Sequence, residues 1–166
     1  MSDFGKRLRE QKSAIENDQA AEEARLAAER AQKEAEIKEQ ISFLEKHLAP
    51  ILNSCRRELE AEGMALTVKE AFDVVGYMVP RPPSVDIVCG APSRRSDGYR
   101  LQGRPLYVAV DGDKFRLGIK EQYSTTAPKT LTTASVDELA KKVEEMILSL
   151  AAEILKEWKA SPASHL

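Results

Sequence analysis

Between Asp3 and Glu62 the chain holds one proline, Pro50, and one early glycine, Gly5, and is otherwise rich in Ala, Glu, Gln, Lys and Arg. These residues are strong helix formers, so the segment predicts one long helix. Arg25, Glu29 and Lys33, and likewise Arg30, Glu34 and Lys38, alternate in charge at four-residue spacing. Each such step adds about 0.2–0.5 kcal/mol. About forty-five helical residues would span roughly 68 Å, more than the width of a compact domain of this size.

The apolar content of that helix is thin and regular. Phe4, Ile15, Leu26, Ile37, Leu48 and Leu59 each follow the last by eleven. Eleven residues make three turns, so the series stays near one line of the cylinder. Around "RLAAERAQKEAEI" only alanines (Ala20, Ala24, Ala27, Ala31, Ala35) accompany it. Near the end, Ile41, Leu44, Leu48, Ile51 and Cys55 step by three and four, and Leu52 and Leu59 widen this seam to a face. Two regimes follow. Residues of about 40–62 can pack on a core, whereas Phe4, Ile15, Leu26 and Ile37 form a candidate self-association stripe. Burying each of these is worth roughly 1.5–3 kcal/mol, which is too little to hold the helix on a globule but suits a matching helix from a second subunit. Pro50 predicts a kink or a break, or else the first turn of a second helix. Gly63 is a natural stop.

After Gly63 the period changes from helical to alternating. "MALTVK" predicts a strand, against a rival helix opening on the Thr67–Glu70 capping box. "VPRPPS" is a connection, since three prolines in four residues do not fit a sheet interior. Its Pro80–Pro83 spacing reads as stiffening of that loop, with docking to an aromatic groove as the sharper alternative. "SVDIVCG" alternates Val85, Ile87 and Cys89. In "LYVAVDGDKFRLGIK" a two-residue Gly112-Asp113 turn sets Val110 opposite Phe115. It places Leu106, Val108, Val110, Phe115, Leu117 and Ile119 on one face, which a three-residue turn would split. Ser135 and Glu138 form a capping box, followed by Val136, Leu139, Val143, Met146, Ile147, Leu150, Ile154 and Trp158 at helical spacing.

The expected class is α+β: a long N-terminal helix kinked or broken near Pro50, a small antiparallel sheet of about four to five strands, and an amphipathic C-terminal helix. The expected division is a projecting coiled-coil-like helix at 1–40, a globular domain at 41–160 and a flexible tail at 161–166.

Chemistry is sparsely written. His47 and Cys55 lie eight apart on a helix face that also needs Leu44 and Leu48, and no further ligands recur at metal spacing. "GAPSRRSDG" lacks a phosphate-loop pattern. No catalytic residue, metal or cofactor is assigned, and a non-enzymatic role is expected. Two cysteines give no disulfide framework and suit a reducing compartment. With no apolar run of about eighteen residues and no apolar leader, a cytoplasmic protein without a membrane partner is expected. The tail Ser164-His165-Leu166 resembles the Ser-Lys-Leu peroxisomal address, but three residues at a chain end read more simply as a frayed tail.

One cluster stands out from this background. Arg94, Arg95, Arg100 and Arg104 crowd a glycine-containing stretch, while Lys114, Arg116 and Lys120 alternate outward on a strand beside an outward Tyr107. These seven cations are candidate polyanion-binding residues, able to track a nucleic-acid backbone while the tyrosine stacks a base. The competing role is internal pairing with the acidic stretch Glu16–Glu39. The net charge of −2 gives no overall pull toward nucleic acid. The expected function is therefore an oligomeric interaction or scaffold protein that self-associates through its N-terminal helix and presents an α+β binding domain. Nucleic-acid binding is the second reading.

Overall fold

The computed structural model describes residues 2–72, 81–92 and 100–160. The chain divides into two compact units, residues 1–39 and 40–166. Helix α1 runs from Asp3 to Ala61. The strands follow as β1 (Ala65–Ala71), β2 (Ser84–Pro92), β3 (Arg100–Gln102), β4 (Leu106–Asp111), β5 (Lys114–Ile119) and β6 (Thr132–Ala134), and helix α2 (Val136–Ala160) comes last. The protein is α+β. Among the described residues its antiparallel sheet has six strands, in the order β1-β2-β4-β5-β6 with β3 paired to β2. The two three-residue strands, β3 and β6, raise the count above the four to five expected, because so short a run carries no alternation to read.

In the second unit, residues 40–61 of α1 bury Leu44, Leu48, Leu52 and Cys55. The helix continues through exposed Pro50 without a break. An internal proline costs about 3 kcal/mol or more. Leu48 and Leu52 on either side each return roughly 1.5–3 kcal/mol on burial, enough to carry the helix across. The helix ends in a Schellman motif. Gly63 takes a φ of 78°, its amide donates to Glu60 O at 3.0 Å, and the Met64 amide donates to Leu59 O at 2.8 Å.

The sheet supplies the other half of the core. Val110 lies opposite Phe115 and Asp111 opposite Lys114, so the β4–β5 turn has two residues, Gly112 and Asp113. Gly112 has a φ of 64° whereas Asp113 does not have a positive φ, the pattern of a II′ hairpin turn. Leu66 then pairs with Cys89, Val85 with Val108, and Val108 with Leu117, all on one face. Residues 40–61 and α2 bury that face with Leu139, Val143, Ile147, Leu150 and Ile154 from α2. The strand reading of "MALTVK" holds over Ala65–Ala71, and residues 73–80, including Pro80, lie outside the described residues. Pro83 is fully buried, which favours the structural role of this connection. His47 is a core-edge residue: its ring meets Phe43 edge-on at 4.7 Å, and Phe43 stacks on Phe115 at 5.0 Å.

Helix α2 opens as its sequence predicts. Ser135 Oγ accepts from the Glu138 amide at 3.4 Å and donates to Glu138 Oε1 at 2.8 Å. The Ser135 hydroxyl, then its amide, then Lys142 hold the Glu138 carboxyl below the usual range.

Two stability measurements check this core. Leu117, with no exposed surface, should lose about 2–5 kcal/mol on conversion to alanine, read by urea unfolding. Ser135→Ala should cost about 1 kcal/mol at neutral pH. The folded carboxyl of Glu138 is depressed. Its stabilising effect is therefore complete above the ordinary carboxylate pKa and fades as pH falls through the lower folded value. The difference between wild type and Ser135→Ala should shrink in acid, and a difference that grows there would contradict the capping geometry.

Candidate interaction surfaces

The first surface belongs to residues 1–39. Phe4, Leu8, Ile15 and Leu26 are 74, 55, 57 and 46% exposed, and Ile37 is half-buried. At 100° per residue these five keep to one side of α1. The alanines Ala20, Ala24, Ala27, Ala31 and Ala35 fall on the opposite side rather than beside them. The charged ladder is realised in part. Arg25 bonds both Glu22 and Glu29, the latter at 2.7 Å, while Lys12 approaches Glu16 at 4.0 Å. Glu22 first, and then Glu29, push the Arg25 guanidinium pKa further up. Such exposed pairs steady a helix only modestly. The large apolar groups beside them still face solvent.

The second surface is the outer face of the sheet, where the candidate polyanion-binding cations were expected. Arg94 and Arg95 lie outside the described residues, and Arg100 is described only as the first residue of β3. Arg104 pairs with Glu153 of α2 through two nitrogens, at 2.5 and 3.3 Å. Arg116 pairs with Asp111 at 2.8 Å, and Lys114 is exposed at the hairpin turn. Lys120 is 8% exposed. Its ammonium sits 2.8 Å from Asp86 and 5.4 Å from the centre of the Tyr107 ring. Three of the seven cations are thus committed to acids within the second unit. The acid that engages Arg104 comes from α2 and not from Glu16–Glu39.

Tyr107 does lie on the outer face, as alternation requires, yet it is only 8% exposed. Gly118 is its cross-strand neighbour. A Cβ there would meet Thr130 O at 2.7 Å and Leu131 Cδ2 at 2.9 Å, so the β5–β6 connection presses directly on this face. Burial, the largest influence, pushes the Tyr107 hydroxyl pKa up, against the hydrogen bond to Ser84 that lowers it. The ring is therefore not free to stack on a base. A polar connection folding back onto a sheet has no periodic signature, which is why alternation alone left Tyr107 open.

The third surface was not read from the sequence. Residues 55–61 of α1, Glu62 just after it, and Glu144–Ala151 of α2 line a groove of about 660 Å³. Its apolar lining comes from Cys55, Leu59, Ile147 and Ala151, with Leu148 standing 71% exposed at its side. Glu58, Glu62 and Glu144 are its charged lining residues, and among the described residues no Lys or Arg lines it. Burial, then the carboxylates of Glu144 and Glu58, push the Cys55 thiol up, while burial pushes Cys89 up to about 11. Both thiols therefore stay protonated and inert at neutral pH. Leu148 is four residues after Glu144 and three before Ala151, beside the helical stripe that marks the core. Sequence periodicity records that stripe but not the flank beyond it.

Among the described residues no group of three or more His, Cys, Asp or Glu is placed to hold a metal, and no helix is long and apolar enough to cross a membrane.

The Lys120–Asp86 pair offers a direct check on the outer face. Asp86→Ala leaves a nearly buried ammonium without its acid and should cost about 3 kcal/mol. Asp111→Ala, which frees only the exposed Arg116, should cost at most about 1 kcal/mol. Equal losses in thermal or urea unfolding would refute this distinction. No family of known proteins, no characterised protein and no solved structure matches the chain, so these three surfaces carry the functional reading.

Proposed function

We propose that this protein is a non-enzymatic, self-associating interaction protein. Residues 1–39 of α1 bring copies together, and the α+β unit is the part presented to a partner. The carrying observation is the series of large apolar side chains, Phe4, Leu8, Ile15 and Leu26, exposed on one side of a charged helix. Apolar area of this kind is removed from water when a second helix covers it. Joining several copies multiplies weak contacts of the α+β unit by raising their effective concentration. Two free, buried cysteines suit a reducing, cytoplasmic setting. The nucleic-acid reading has less support, because Arg104, Arg116 and Lys120 already engage acids and Tyr107 is covered.

Light scattering on the full chain tests the proposal. The unmodified protein should have the mass of an oligomer. Leu26→Glu combined with Ile37→Glu should reduce it to a monomer, with the thermal transition of the α+β unit retained. A monomeric mass for the unmodified protein at micromolar concentration would refute it.

A further inference from the structure

Resting on the self-association proposed above, we infer that the groove between α1 and α2 is the seat for the N-terminal turns of α1 from a second copy. Besides Ile15, Leu26 and Val136, the large apolar side chains left exposed on the described helices are Phe4 and Leu8 at the start of α1, and Leu148 at 71% and Leu155 at 39% on the flank of α2. Leu148 and Leu155 are seven residues apart and share one side of α2. Leu148 extends the apolar floor of the groove outward.

Charge selects the occupant. Arg7 and Lys12 flank Phe4 and Leu8 on either side of that face of α1, while Lys6 and Arg9 lie toward the opposite side and add to the positive charge of the helix end, opposed within that stretch only by Asp3 and Glu10. Among the described residues Arg7 forms no ion pair, and Lys12 makes only the exposed 4.0 Å approach to Glu16. The groove presents the converse, with Glu58, Glu62 and Glu144 at its walls and, among the described residues, no base. None of the three engages a cation among the described residues. An apolar floor with acidic walls matches an apolar helix end with basic flanks. Complementary charge of this kind fixes register and hastens encounter, while the apolar contact supplies affinity. The contact is heterologous, joining different surfaces of the two copies. Two copies can exchange it reciprocally and close, or it can propagate.

Reversal of charge on both sides tests the seat, with sedimentation of the full chain as the readout. Arg7 and Lys12 changed together to Glu should weaken assembly about tenfold or more, since like charges then face one another. Glu58, Glu62 and Glu144 changed together to Lys should do the same, and the two sets combined should restore assembly. Leu148→Glu, at a site already exposed, should weaken assembly with an unchanged thermal transition. An oligomer whose mass ignores Leu148→Glu and both charge sets would overturn the groove as the seat while leaving pairing through Leu26 and Ile37 intact. Loss of assembly in both charge sets without restoration in their combination would likewise overturn it. A monomeric unmodified chain would remove both.

Discussion

The two-residue turn at Gly112-Asp113 decides how the second unit can be built. Side chains alternate along a strand, so the turn length fixes which residues of β5 share a face with Leu106, Val108 and Val110. With Val110 opposite Phe115, the Phe115 ring and Leu117 enter the core. Phe43 then has a ring to stack on, and α2 has an apolar surface to cover. A slip of one residue would turn Arg116 and Lys114 inward, and both helices would lose their seat. The outer face depends on the same register, because Tyr107 reaches Gly118 only in this pairing.

Features whose cause is local were legible in the sequence. The hairpin, the Ser135 cap, the Gly63 stop and the buried positions of α2 follow from turn chemistry and from periods of two and 3.6. The sequence left open whether α1 kinks or breaks at Pro50, because continuity depends on the burial of Leu48 and Leu52 against a sheet that comes later in the chain. The two shortest strands escaped for want of length. Among the candidate cations, residue type and spacing identified the group but not the acids facing it. Asp86 and Lys120 are far apart in the chain, and nothing in either neighbourhood foretells their pairing. The α1–α2 groove likewise exists only once two helices distant in sequence lie side by side.

Helix α1 divides into lengths stabilised in different ways. Over residues 40–61 tertiary burial dominates, strong enough to tolerate a proline. Over residues 3–39 the stabilisation is intrinsic propensity together with ion pairs such as Arg25–Glu29, each worth tenths of a kcal/mol. The first length resists change because its partners are already in place. The second leaves its largest side chains in water, a state that no rearrangement within residues 1–39 improves.

The Lys120–Asp86 contact joins the residue after β5 to β2 across β4, so three strands must be in register before it closes. The pair thus acts as a latch across the sheet: a slip of any one of the three strands separates an almost buried ammonium from its acid, so the contact penalises wrong register as well as holding the right one.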